Sequence, residues 1–247
     1  MLKPDNDENI TLNFHEACKR GDLNEITKLL SRKEEIDVKQ LDKEFTLGIV
    51  AQNGDLEIVE LLLKIGVNVN QKIRLFGLRP LHFACTRKNL GIVQLLLQHN
   101  ADVQLRGIDR KTPLHFACIE GDLEIVKELL KHKQDINAVC TTVNSLKMTP
   151  LMFAADLGYL DVVEELLNSG ADIDFKDANV GNALHLAVAY GEKNVDTVKM
   201  LLKYGCNTNV RAKMTSDDEE LPMCTAFELA LNFKSINSVK TIAYHQN

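Results

Sequence analysis

A spacing that recurs along almost the whole chain constrains its fold more than any other feature. Five equivalent leucines are separated by 34, 33, 37 and 33 residues, and they are Leu47, Leu81, Leu114, Leu151 and Leu184. Phe14 stands 33 residues before this series and Phe227 stands 43 residues after it. A period in this range indicates a repeat protein, in which each repeat packs mainly against its neighbours.

Each repeat is expected to form two helices joined by a tight turn. In the fourth, Pro113 suits the first position of a helix, and Gly121 suits a helix C-terminus because glycine readily adopts a positive φ. The residues after Gly121 place apolar side chains on one face of a second helix, at Leu123, Ile125, Val126, Leu129 and Leu130. One such helix pair cannot bury its apolar face alone, so the repeats are expected to stack.

The repeats resemble ankyrin repeats. Thr112 to His115 match the Thr-Pro-Leu-His opening of that family's pattern, and Thr149 to Leu151 match it again. The resemblance implies an all-α solenoid of stacked helix pairs with β-hairpin fingers along one edge. We expect a flexible tail at 1–9, an acidic insertion at 215–220, and an ankyrin-repeat domain over 10–247, with repeats at about 10–42, 43–76, 77–109, 110–146, 147–179, 180–214 and 221–247.

A repeated Leu-His-Phe-Ala-Cys segment, at 81–85 and 114–118, raises the possibility of a zinc site. Packed helices lie about 8–10 Å apart, whereas zinc ligands must approach one another within about 4 Å. Other repeats keep only part of the set, since the fifth has Met152 and Ala155 and the sixth has His185 with Val188. The family resemblance implies instead that each histidine bonds the backbone of the adjoining turn.

The cysteines of this segment are expected to fill buried alanine positions in the repeat. Cys140, Cys206 and Cys224 fall in or near connectors, so we expect these three to be more exposed. The chain has no phosphate-binding glycine loop, no HExxH motif, and no Ser, His and Asp set that the repeat leaves unexplained. The sequence therefore predicts no enzyme activity, no catalytic residue, no cofactor and no metal.

Residues that the repeat framework does not require are the candidates for binding a partner. The first set precedes the glycine at the end of each first helix, which the resemblance places on a concave groove, and comprises Arg20, Asn53, Arg87, Ile119, Glu120, Asp156, Leu157 and Tyr190. The second set lies in the fingers and comprises Arg74, Phe76, Arg106, Ile108 and Arg110. The alternatives are a solvated face with chance charges for the first set, and packing between fingers for Leu75 and Phe76.

Charge is distributed unevenly along the chain. Residues 1–111 contain 17 Lys and Arg against 16 Asp and Glu, whereas residues 112–247 contain 12 against 19. We expect a protein partner that is acidic or polar near repeats one to three and basic near repeats five to seven. The net charge of −6 does not favour a nucleic-acid partner, and no apolar run is long enough to serve as a membrane span. The protein is expected to be monomeric by itself.

The expected function is that of a non-catalytic scaffold or adaptor for protein–protein interaction, in the cytoplasm or the nucleus. Alternatives are a targeting module of a larger protein, such as a ubiquitin-ligase substrate receptor or an ankyrin-bearing channel, and an inhibitor resembling those of NF-κB-type transcription factors. Asn70, Asn137 and Asn209 occupy the hairpin position that asparaginyl hydroxylases modify in ankyrin proteins. The alternative for these asparagines is turn chemistry.

Overall fold

The structure is a computed structural model that describes residues 10–73, 77–189, 191–213, 215–216, 219–220 and 223–246. It divides into two compact units, Met1–Ile108 and Asp109–Asn247. The helices of the first unit are α1 (Ile10–Arg20), α2 (Leu23–Leu30), α3 (Val38–Lys43), α4 (Thr46–Asn53), α5 (Leu56–Lys64), α6 (Pro80–Thr86) and α7 (Leu90–Gln98).

The second compact unit has the same helix-pair organisation. Its helices are α8 (Pro113–Glu120), α9 (Leu123–Leu130), α10 (Pro150–Leu157), α11 (Leu160–Asn168), α12 (Ala183–Ala189), α13 (Val195–Lys203), α14 (Ala226–Asn232) and α15 (Ile236–Gln246). The first helices α8, α10, α12 and α14 pack in series. The second helices α9, α11, α13 and α15 form a parallel series behind them. The predicted all-α stack of helix pairs is confirmed within each unit.

The leucines that define the repeat form the framework of the core. None of them is more than 2% exposed. Full burial of a leucine side chain contributes about 1.5–3 kcal/mol to stability. The second helices bury the predicted face too, since Ile125, Val126 and Leu129 of α9 are all fully buried. The periodicity therefore identified both apolar faces of the repeat correctly.

Helix ends follow the predicted turn chemistry, including where glycine is absent. Gly121 has φ 69° at the end of α8. Lys88 and Lys234 occupy the equivalent position after α6 and α14, with φ 55° and 54°. Left-handed backbone costs a residue with a side chain about 1–2 kcal/mol, so the turn geometry here is imposed by stacking rather than by the local residue.

Most of the described fingers are hydrogen-bonded turns rather than strand pairs. Strands β1 (Cys140–Thr141) and β2 (Lys147–Met148) pair antiparallel with Cys140 opposite Met148. In the acidic insertion, β3 (Thr215–Ser216) pairs antiparallel with β4 (Glu219–Glu220). The acidic insertion therefore contains a short pair of antiparallel strands. Asp217 and Asp218 lie outside the described residues.

A ladder of side-chain hydrogen bonds joins the loops of successive repeats. Asn70 Oδ1 accepts the backbone N–H of Asp102 at 2.9 Å, and Asn137 Oδ1 accepts that of Asp172 at 2.7 Å. Asp172 in turn accepts the N–H of Asp174 within its own loop at 3.0 Å. In these two repeats the asparagine therefore satisfies a backbone donor of the next repeat, which favours the turn-chemistry interpretation of Asn70 and Asn137.

Asn137→Ala should lower the free energy of unfolding by about 1 kcal/mol, because the Asp172 N–H loses its acceptor. Asn209→Ala is the matched control, since Asn209 holds the same loop position but its side chain makes no hydrogen bond among the described residues. Urea unfolding followed by circular dichroism measures both variants. An equal loss of stability in the two would contradict a role for the ladder.

Candidate protein-binding surface

The histidines of the repeated segment fasten each first helix to a neighbouring turn. Nδ1 of His115 accepts the Thr112 N–H at 3.1 Å, and Nε2 lies 3.4 Å from the carbonyl oxygen of Met148 in the next finger. His185 repeats the arrangement, with its Nε2 3.2 Å from the Cys224 carbonyl oxygen. Since Nδ1 accepts, Nε2 carries the proton and donates. The prediction that these histidines bond adjoining backbone is confirmed.

The expectation that three connector cysteines are exposed is wrong. Cys140, Cys206 and Cys224 are 0%, 4% and 3% exposed. The fingers close over them, because Cys140 lies in the paired strand β1 and Cys206 Sγ lies 3.4 Å from the Asn182 side-chain nitrogen. Burial raises the pKa of the Cys206 thiol to about 12, so this thiol stays protonated and unreactive at neutral pH.

Metal ligation requires side chains that converge, and the described residues do not supply them. Among these residues, no three His, Cys, Asp or Glu side chains are grouped so that they could hold a metal ion. His115 and Cys118 are both fully buried in α8, where the imidazole is already hydrogen bonded on both nitrogens. The buried residues of the repeated segment therefore serve packing.

In the second compact unit, partner candidates lie at the C-terminal ends of adjacent first helices. Ile119 and Glu120 end α8 and are half-buried, and Asp156 and Leu157 end α10, which packs on α8. Leu157 is 37% exposed. Apolar side chains and carboxylates therefore alternate on one surface, which we call the α8–α10 end surface. Tyr190, the candidate of the next repeat, lies outside the described residues.

Asp156 carries the most perturbed carboxyl group of the α8–α10 end surface. Burial raises its pKa to about 6, and no cation pairs with its carboxylate in the described part of the chain. Asn194 of the following repeat donates instead to the Asp156 backbone carbonyl, at 3.1 Å. A partly desolvated carboxylate beside an exposed leucine suits a cationic group that also has apolar surface.

The sequence did not indicate Asn194, which is buried and positions this surface. Its side-chain amide also donates to the Ala155 carbonyl at 3.3 Å, so it closes the end of α10. Asn89 acts similarly in the first compact unit, because it donates to Gly54 and accepts the Ile92 N–H. Asparagine can donate and accept at once, whereas the aspartate found at this position in other repeats can only accept. Asparagine in place of the usual aspartate is therefore the feature of the sequence that could have indicated this role.

In the first compact unit, two of the groove candidates also join repeats together. Asn53 donates its side-chain N–H to the Lys19 carbonyl oxygen at 3.1 Å, and Arg87 Nε donates to the Gln52 carbonyl oxygen at 3.1 Å. Both side chains remain exposed, and so does Arg20 at the end of α1. The exposed edge of this unit therefore carries two arginines, Arg20 and Arg87, and a backbone bond helps to fix the position of Arg87.

The described finger residues are a mixture of framework and exposed groups. Arg106 is half-buried, Ile108 is 37% exposed and Arg110 is exposed with φ 61°. Lys111 pairs with Asp109 at 2.8 Å and is mostly shielded from solvent. Ile108 and Arg110 are thus the accessible members of this finger. Arg74 and Phe76 lie outside the described residues, so their roles stay predictions.

The three asparagines that could be hydroxylated differ in their exposure and contacts. Asn70 and Asn137 are half-buried and accept backbone N–H groups, as described above, whereas Asn209 is exposed. Hydroxylation at these positions stays a prediction. Mass spectrometry of the protein from its native cell would locate the modification.

Comparison with known proteins agrees with the helix-pair stack. A family model described as ankyrin repeats matches in three copies, over residues 14–107, 104–177 and 151–247. The chain belongs to the ankyrin repeat family. Ankyrin repeats are protein–protein interaction modules and the family is generally non-catalytic. None of the helices within the described ranges combines the length and hydrophobicity required to cross a membrane.

Two curated ankyrin-containing relatives match part of the chain. A putative ankyrin repeat protein FPV240 of Fowlpox virus (strain NVSL) is 33% identical over 106 residues, which cover 41% of this chain and 26% of that protein. The tyrosine-protein kinase Shark of Drosophila melanogaster is 34% identical over 101 residues, which cover 40% of this chain and 11% of the kinase. The match to each relative spans a minor part of its length, so their shared feature with this chain is the ankyrin repeat.

Asp156→Asn should stabilise the ankyrin domain at pH 7.5. The pKa of Asp156 is higher in the folded state than the ordinary 3.8, so the folded state disfavours the carboxylate, and this penalty is complete only above pH 6. Partial exposure reduces the gain to about 1–2 kcal/mol. The gain should shrink as the pH falls through 6 and disappear near pH 4.

Thermal melting of wild type, Asp156→Asn and the exposed control Asp161→Asn at several pH values checks this. The control should show no pH-dependent increase in stability. A stabilisation by Asp156→Asn that is the same at pH 4.5 and pH 7.5 would show that the carboxylate is not desolvated as described.

Proposed function

We propose that this ankyrin repeat protein is a non-catalytic scaffold or adaptor that binds another protein through the ends of its first helices and its fingers. The observation that carries the proposal is a contrast in exposure within the first helix α10. In α10, Ala155 is fully buried by packing, whereas Leu157, two residues later, is 37% exposed beside the desolvated Asp156. The exposed Leu157, with the half-buried Ile119 at the end of the neighbouring α8, favours a protein-binding surface.

The partner that we propose carries opposite charges at its two ends. The α8–α10 end surface combines Ile119 and Leu157 with the carboxylates of Glu120 and Asp156, so it suits a basic segment with apolar side chains. In the first compact unit, the exposed Arg20 and Arg87 suit an acidic or polar segment. Complementary charge mainly raises the association rate and excludes wrong partners, while the apolar contacts supply affinity.

A second candidate is a targeting module of a larger protein, such as a ubiquitin-ligase substrate receptor or an ankyrin-bearing channel. The relatives support it, because both are much longer than the segment that matches. The same surface would then hold a substrate or anchor for the rest of that protein. We also propose a location in the cytosol or nucleus. Six free thiols are compatible with such a reducing compartment.

The Ile119→Ala/Leu157→Ala/Tyr190→Ala variant should lose its partner. Affinity enrichment from the native cell, quantified by mass spectrometry, should show at least about a tenfold drop for the proteins retained by wild type. Leu12→Ala is the matched control, because Leu12 is 41% exposed near the start of α1, at the opposite end of that helix from Arg20. Thermal melting confirms that each variant is folded.

A second arm of the same experiment tests the predicted polarity. Charge reversal of Arg87, Arg106 and Arg110 to glutamate should weaken retention of the partner. Raising the salt concentration should reduce the difference in retention between this variant and wild type. Retention of the same proteins by wild type and both multiple variants at moderate salt would refute binding through these surfaces.

A further inference from the structure

The last repeat leaves uncovered the face that every other repeat of the second compact unit buries. We compare the position four residues after the repeat leucine, which we call the inward position of the first helix. In repeats four to six it is occupied by Cys118, Ala155 and Val188, and each of these is 0% exposed. Leu231 holds this position in α14 and is 52% exposed. Leu231 therefore lies on a surface that in the interior of the stack belongs to a packing contact.

The second helix of the last repeat shows the same change. Val126, Val163 and Val198 are fully buried at equivalent positions of α9, α11 and α13. Val239 of α15 is only half-buried, and Ile236 at the start of that helix is 62% exposed. Because α10 and α11 cover the preceding helix pair, these positions are buried there, whereas the equivalent apolar residues of α14 and α15 are more exposed.

These residues line one open groove of about 460 Å³ between α14 and α15. Its lining residues are Leu231, Lys234, Ile236, Val239 and Lys240, and we call them the C-terminal apolar groove. The interior repeats show that helices are what pack on this face. A leucine replaces the small Cys, Ala or Val of the interior positions, so the close approach of another ordinary repeat is hindered.

The two lysines at the rim indicate the charge of the occupant. In repeats four and six, the lysine of the second helix pairs with an acid one turn earlier, as Lys199 does with Asp196 at 2.8 Å. In the last repeat Asn237 stands in place of that acid. Its backbone N–H and its side-chain amide both donate to the carboxylate of Glu192. Neither Lys240 nor Lys234 makes an ion pair in the described part of the chain.

We infer that the C-terminal apolar groove binds an amphipathic helix of another protein, with an apolar stripe over Leu231, Ile236 and Val239 and carboxylates that pair with Lys234 and Lys240. Helix-in-groove recognition of this kind reads apolar anchors at helical spacing. A second copy of this chain does not fit, because a symmetric contact would set the lysines of both copies against each other. This site shares no residue with the α8–α10 end surface or with the arginines of the proposed function.

A pair of fluorescent helical peptides tests the inference directly. One carries a leucine stripe flanked by glutamates, and the other has lysines in place of the glutamates, each about 18 residues or five turns long. Fluorescence anisotropy with the full chain should show the acidic peptide binding at least about tenfold more tightly. Lys234→Glu/Lys240→Glu should reverse this preference, and Leu231→Ser should weaken both peptides.

Lys133→Glu is the matched control, since Lys133 is exposed after α9 and does not line the groove. The acidic peptide should still bind to this control and to the Ile119→Ala/Leu157→Ala/Tyr190→Ala variant. Binding to the triple variant would show that the groove acts independently of the surface in the proposed function. Equal binding of both peptides, or indifference to Lys234→Glu/Lys240→Glu, would overturn the inference. So would a dimer in sedimentation velocity that Leu231→Ser dissolves, because the occupant would then be a second copy.

Discussion

The contact between each helix pair and the next is the interaction on which the rest of the structure depends. A single pair has one apolar face on each side and too little chain to cover either, so it is stable only between neighbours. This requirement explains the small residues at the inward position of the first helix, which let backbones approach closely. It also explains the bonds from His115, Asn137 and Asn194, each of which joins one repeat to a group of an adjacent repeat.

The same requirement separates the residues that build the fold from those that are available for function. Within α10, alternate sides of the helix meet a neighbouring repeat or solvent, so Ala155 and Leu157 have opposite environments. The stack is preserved as long as the buried packing residues are kept. The residues at the helix ends can therefore change to suit a different partner without loss of the fold. A scaffold of this kind gains a binding surface without altering its core.

The sequence predicts the packing of this protein better than its surface. The repeat period located the buried leucines and the paired helices, because these depend on spacing within one repeat. It failed for Cys140 and Cys206, because their burial comes from how the fingers fold over the chain. The bonds from Asn53 and Arg87 to backbone of the preceding repeat were likewise missed. Such contacts join residues more than thirty positions apart in the chain and leave no local periodicity.

The most direct test of the account compares aspartate at two neighbouring positions of α10 by urea unfolding of the full chain. Ala155→Asp places a charge inside the contact between repeats and should cost about 3–5 kcal/mol of unfolding free energy. Leu157→Asp places the same charge on the partly exposed end surface and should cost much less, about 1 kcal/mol. Equal losses in the two variants would contradict the division between framework and binding residues.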